Sequence, residues 1–101
     1  MITIMYGVWA DQPKTFNTIG DYLEENKVDI ENEVSEYFKH IKCDKTFELN
    51  SKVKDFITDY VGTHKESACP RKDGAFLPER FYLLCADAIY SYLQETNYLA
   101  G

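Results

Sequence analysis

The chain has 101 residues, enough for one core and a single domain over residues 1–101, and its 45% apolar content is far above that of a disordered segment. Seventeen acidic against eleven basic residues leave a formal charge of −6, which argues against direct binding to a nucleic-acid backbone. The sequence has no apolar run of about 18 residues that would span a membrane, and its three cysteines are an odd, sparse set that fits reduced thiols, so a cytoplasmic protein is expected.

The first element is the β-branched and aromatic run Ile2 to Trp9, read as a strand that ends at the turn-like cluster Ala10 to Pro13. It has neither a basic flank before it nor a small-residue cleavage site after it, so it is not read as a signal peptide. A lone strand leaves backbone groups unpaired, and the short stretch Phe47-Glu48-Leu49 is the expected partner within the chain. The alternative is an edge shared with a second copy. Thr18, with Asp21 three positions on, resembles a capping box ahead of a helix carrying Ile19, Tyr22 and Leu23 and ending near Asn26. Asp29 is expected to cap a second helix, in which Ile30, Val34, Tyr37, Phe38 and Ile41 recur at helical spacing. Asn50 or Ser51 opens a third, with Val53, Phe56, Ile57, Tyr60 and Val61 on its buried face and Gly62 as its stop. Residues 63 to 76 show no period and read as a long loop, whose Lys65, Arg71 and Lys72 are expected to fold back on the acidic helix. Pro78 suits the first turn of a fourth helix. Its apolar face, from Phe81, Leu84 and Cys85 to Ala88, Ile89 and Tyr92, is wide enough to make it the central one.

The acidity is local. Asp21, Glu24, Glu25, Asp29, Glu31, Glu33 and Glu36 lie within sixteen positions against a single Lys27, a net −6, while the rest of the chain balances ten acids with ten bases. On the second helix, Asp29, Glu33, Glu36 and His40 fall on one flank, opposite the apolar stripe. Negative charge in a first turn complements the helix dipole, which accounts for Asp21 and part of the Asp29 to Glu33 cluster. It does not account for Glu24, Glu25 and Glu36. Clustered charge of this kind steers a basic protein toward the surface that carries it.

Other chemistries find less support. Glu36, His40 and Cys43, with His64 and Cys69, include enough N and S atoms for a metal, but lack the paired-cysteine spacing of a zinc site. Cys69, between Ala68 and Pro70, has His64 as a candidate base but no third group to orient it. Phosphate loops and hydrolase elbows are missing from the sequence.

The expected fold is mainly α, about four helices with the C-terminal helix central and a short N-terminal strand; the alternative is α+β with two or three short strands. The expected function is that of a non-enzymatic, cofactor-free acidic binding protein. It would neutralise a basic, nucleic-acid-processing partner by presenting carboxylates where phosphates would sit, as an immunity or antitoxin protein or a phage anti-defence inhibitor does. Tyr22, Glu24, Glu25, Asp29, Glu31, Glu33 and Glu36 are the expected contact residues. The alternative is an assembly module that dimerises through the N-terminal strand and C-terminal helix.

Overall fold

In the computed structural model, which describes residues 1–99, the chain opens with an antiparallel hairpin and ends with its longest helix. Strand β1, Ile2–Tyr6, pairs with β2, Gln12–Phe16, in a register that runs from Ile2 opposite Phe16 to Tyr6 opposite Gln12. β1 stops short of Trp9 because Gly7 takes φ +93° and Ala10 φ +52°, turning the chain. The Ala10 N–H donates to the Gly7 carbonyl at 3.0 Å, closing that turn. The strand's partner is therefore the segment holding Pro13, not Phe47-Glu48-Leu49. Proline reads as a turn signal, yet it is tolerated here because β2 is an edge strand.

The other edge of β1 is also occupied. The Met5 N–H donates to the Phe76 carbonyl and the Phe76 N–H to the Thr3 carbonyl, each at 2.9 Å, forming a parallel bridge between Ile4 and Phe76. β1 thus has β2 along one edge and a single bridge to Phe76 on the other. The outer edge of β2 carries Pro13 and Lys14, residue types that discourage edge-to-edge pairing.

Four helices follow. In α1, Ile19–Glu25, the Thr18 hydroxyl accepts from the Asp21 N–H at 3.1 Å as the cap pattern requires, and Ile19, Tyr22 and Leu23 are buried. Helix α2, Lys27–His40, is capped by Asn26 and so begins three residues earlier than the Asp29 cap implied. Asn26 is at once the last cap of α1 and the first of α2, and its side-chain amide donates to the Tyr22 carbonyl at 2.8 Å. Asp29 thus lies inside the first turn, still placed to complement the dipole. Ile30, Val34 and Phe38 are buried, whereas Ile41, just past the helix end, is 39% exposed.

Helix α3, Ser51–Thr63, is capped by the Asn50 side chain, which accepts from the Val53 N–H at 3.0 Å. It runs through Gly62 rather than stopping there, and buries Val53, Ile57 and Val61. Residues 63 to 76 are more ordered than a free loop. A 3-10 turn spans Lys65–Ala68, Cys69 and Gly74 take positive φ, and Ala68, Ala75 and Phe76 are buried. Helix α4, Pro78–Glu95, has proline in its first turn and buries Phe81, Leu84, Cys85, Ala88, Ile89, Tyr92 and Leu93. It packs against α3, the 3-10 turn and β1, so it is the central element. The fold is mainly α, with one small two-stranded sheet.

Candidate functional site

The acidic window forms α1, Asn26 and most of α2. Asp21, Glu24, Glu25, Asp29, Glu33 and Glu36 are all exposed, and Glu31 is half-buried. Their immediate partners divide them into two groups. Glu24 accepts from the Lys54 ammonium at 2.9 Å, and that hydrogen bond and charge hold its carboxyl below the usual carboxylate range. Glu25 pairs with Lys14 on the edge strand, and Glu36 pairs with Lys39 at 3.4 Å. Glu31 accepts from the Leu49 backbone N–H at 2.8 Å and lies 3.7 Å from Lys27. Its carboxylate anchors the segment before α3. Asp29 and Glu33 form no ion pair among the described residues.

This reverses part of the helix-chemistry argument. Glu24, Glu25 and Glu36, which the dipole left unexplained, each have a lysine beside them. Three acids have none among the described residues, Asp21, Asp29 and Glu33, and the last two sit one helical turn apart and line a common cleft.

The cleft lies between the first half of α2 and the start of α4, with a volume of about 680 Å³. Tyr6 from the end of β1, Tyr22 from α1 and Tyr82 from α4 all reach it. Tyr22, one of the expected contact residues, is only 3% exposed. Its ring is held edge-on between Phe16 at 5.3 Å and Phe81 at 4.8 Å. Burial raises the Tyr22 hydroxyl well above the usual phenol range, with Cys85, Tyr6 and Tyr82 adding to the effect. Burial also pushes the Tyr82 hydroxyl up to about 12, assisted by the negative charge and hydrogen bonding of Glu33 and by Asp29. Neither tyrosine therefore competes as an anion near neutral pH; the carboxylates supply the negative charge.

Sequence reasoning missed Tyr6, Asn32, Tyr82 and Leu83 as members of this cleft. Tyr82 reads from its spacing as one more apolar residue on a wide helix face, and nothing local tells that the face opens onto solvent. Leu83 is 60% exposed at the rim.

The remaining candidates are not assembled into a site. The His64 ring stacks on Tyr60 at 4.1 Å, and its Nδ1 lies 2.9 Å from the Tyr60 carbonyl and 2.8 Å from the Thr63 hydroxyl. The Cys69 thiol faces the Ser67 carbonyl at 3.9 Å. Among the described residues no three His, Cys, Asp or Glu side chains converge as a metal site would require. Arg71 does not reach the acidic helix; it donates to the Ala10 carbonyl at 3.1 Å and lies 3.6 Å from Asp73. The ion pairs likewise include no contact between Lys65 or Lys72 and α2. No helix among the described residues is long and apolar enough to cross a membrane. Comparison with protein-family models, curated proteins and solved structures finds no match.

Proposed function

We propose that the chain is a non-enzymatic binding protein whose α1–α2 face docks on a basic surface of a protein partner and inhibits it. The observation that carries this reading is that six of the seven clustered acids are exposed on one continuous helical segment while three of them, Asp21, Asp29 and Glu33, form no ion pair among the described residues. The lysine pairs of Glu24, Glu25 and Glu36 are solvent-exposed contacts, each worth about 0–1 kcal/mol, so a partner's arginines and lysines can displace them at little cost. A partner that normally grips nucleic acid has a surface already matched to a row of anions. Masking that surface accounts for inhibition without chemistry. The reading makes this chain a cytoplasmic immunity or antitoxin protein, or a phage anti-defence inhibitor.

The test is a salt-graded capture from host lysate, followed by purification of the captured protein and measurement of its affinity and activity. Wild type is compared with the double substitution Glu33→Lys, Glu36→Lys. Weaker binding with a flatter salt dependence, at an unchanged melting temperature, is the expected result. Equal affinity in the two proteins would refute the reading.

A further inference from the structure

The cleft between α2 and α4 carries more information than its charge. Tyr22 is nearly buried, and it lines the cleft. Its hydroxyl forms no hydrogen bond among the described residues, although no fully enclosed side-chain oxygen or nitrogen among them lacks a partner. The oxygen must therefore meet the open space of the cleft, where the polar groups of Tyr6 and Tyr82 act on it. With its ring packed and its hydroxyl reaching the recess, Tyr22 presents a donor and an acceptor to whatever enters the cleft.

Asp29 and Glu33 complete the wall on the α2 side. Two carboxylates one turn apart repel each other, and no lysine or arginine lines the cleft to relieve them. The recess thus combines three carboxylates, Asp29 and Glu33 from α2 and Glu79 from α4, with three phenol rings and the Asn26 and Asn32 amides, and no positive charge of its own. A planar cation with several N–H donors satisfies every part of this set. Guanidinium offers five donors in a fixed fork, binds carboxylates in pairs and stacks on aromatic faces, whereas an ammonium offers three donors from a point.

We propose that this cleft is a socket for an arginine side chain carried by the partner protein. The proposal rests on the acidic-face reading above and narrows it to one anchoring contact. Arginine is a frequent hot-spot residue of protein interfaces, most effective where it enters a recess that excludes water. Glu24, Glu25 and Glu36 then steer the approach, while Asp29, Glu33 and Tyr22 hold what arrives.

The test titrates the isotope-labelled full chain with the blocked tripeptide Gly-Arg-Gly, following backbone amide and tyrosine ring signals by NMR. Matched tripeptides with lysine or with citrulline, the neutral isostere, are the controls. The expected result is saturable millimolar binding with shifts centred on Tyr6, Asn32 and Tyr82, weaker for lysine and absent for citrulline. Tyr22→Phe keeps the packed ring and removes only the hydroxyl, so it should weaken the arginine peptide about three- to tenfold. Asp29→Asn with Glu33→Gln should weaken it about tenfold or more. Shifts spread evenly along Glu24, Glu25 and Glu36, a response to citrulline equal to that for arginine, lysine binding as tight as arginine, or no effect of Tyr22→Phe would each overturn the socket. The two ideas fail separately. If Tyr22→Phe leaves the partner's affinity intact while Glu33→Lys, Glu36→Lys abolishes it, the socket is refuted and the acidic face stands. If charge reversal leaves the partner bound, the face is refuted whatever the peptide does.

Discussion

The Glu31 carboxylate accepts the Leu49 backbone N–H at 2.8 Å, joining the middle of α2 to the extended segment that leads into α3. Leu49 is 1% exposed, so this N–H lies where water cannot easily replace its partner. Fixing Leu49 also fixes Asn50, the residue whose side chain caps α3. One acid of the cluster therefore contributes to the fold from within a face otherwise free to bind.

Replacing Glu31 tests that division of labour. Glu31→Ala is expected to cost about 1–3 kcal/mol in urea denaturation, because it strands a buried donor that had a charged acceptor. Glu31→Gln, which keeps an acceptor oxygen, should lose less. Glu36→Ala, on the exposed flank, should stay within about 0.5 kcal/mol of wild type.

Two glycines should respond in opposite directions to alanine. Gly62 sits inside α3 with ordinary helical φ, and a methyl group there would meet nothing within 4 Å. Gly62→Ala is expected to stabilise the protein by about 0.5–1 kcal/mol. Gly7 holds φ +93° at the hairpin turn, and a Cβ would come within 3.2 Å of the Gln12 side chain. Gly7→Ala should destabilise by about 1–2 kcal/mol. Thermal melts of the two single variants give both signs.

Alkaline pH should loosen the fold in a defined window. Burial pushes the Cys85 thiol up to about 12 from an ordinary value of 9.0. The folded state keeps that proton where the unfolded state has lost it, so the contribution to stability is full below pH 9.0 and falls as pH rises toward about 12. Over that interval the loss approaches about 1.4 kcal/mol per pH unit. Tyr22 and Tyr82, also raised, act in the same direction above pH 10.0. Denaturation at stepped pH should show the decline, and Cys85→Ala should reduce its slope whatever it does to stability at neutral pH. The thiol itself should resist labelling in the native protein, while exposed Cys69 labels at once.

Phe81 tests the floor of the cleft. It is fully buried and meets the Tyr22 ring at 4.8 Å and Phe76 at 5.2 Å. Phe81→Ala is expected to cost about 3–5 kcal/mol and to release the orientation of Tyr22. Tyr90→Phe, at a partly exposed position, should be near neutral. Chemical denaturation, with the Tyr22 ring signals followed by NMR, checks both parts.

The helices were legible in the sequence wherever the deciding chemistry is local. Thr18 with Asp21, Asn50 with Val53 and Pro78 mark helix starts within one turn of the chain, and the structure has caps or proline there. The wide apolar face of α4 foretold its central place. β2 was not legible, because Pro13 signals a turn unless one knows that the strand lies at an edge. Gly62 misled for a related reason: a glycine stops a helix only when the following chain needs a left-handed residue, and α3 does not. The acidic cluster was plain as composition, but its division was not. Glu24 finds Lys54 thirty positions away and Glu25 finds Lys14 on the hairpin, pairings that exist only once the chain is folded. The cleft draws its lining from β1, α1, α2 and α4, so no single stretch of sequence announces it.

The bridge between Ile4 and Phe76 has a consequence in time as well as in space. On the ribosome, β1 is made first and Phe76 only after three of the four helices have been synthesised. A two-stranded hairpin alone is marginally stable in water, so until then β1 has β2 on one side and solvent on the other. The sheet, and with it the Tyr6 wall of the cleft, reaches its final form only as α4 emerges. The nascent chain should therefore present the finished cleft only once α4 has been made.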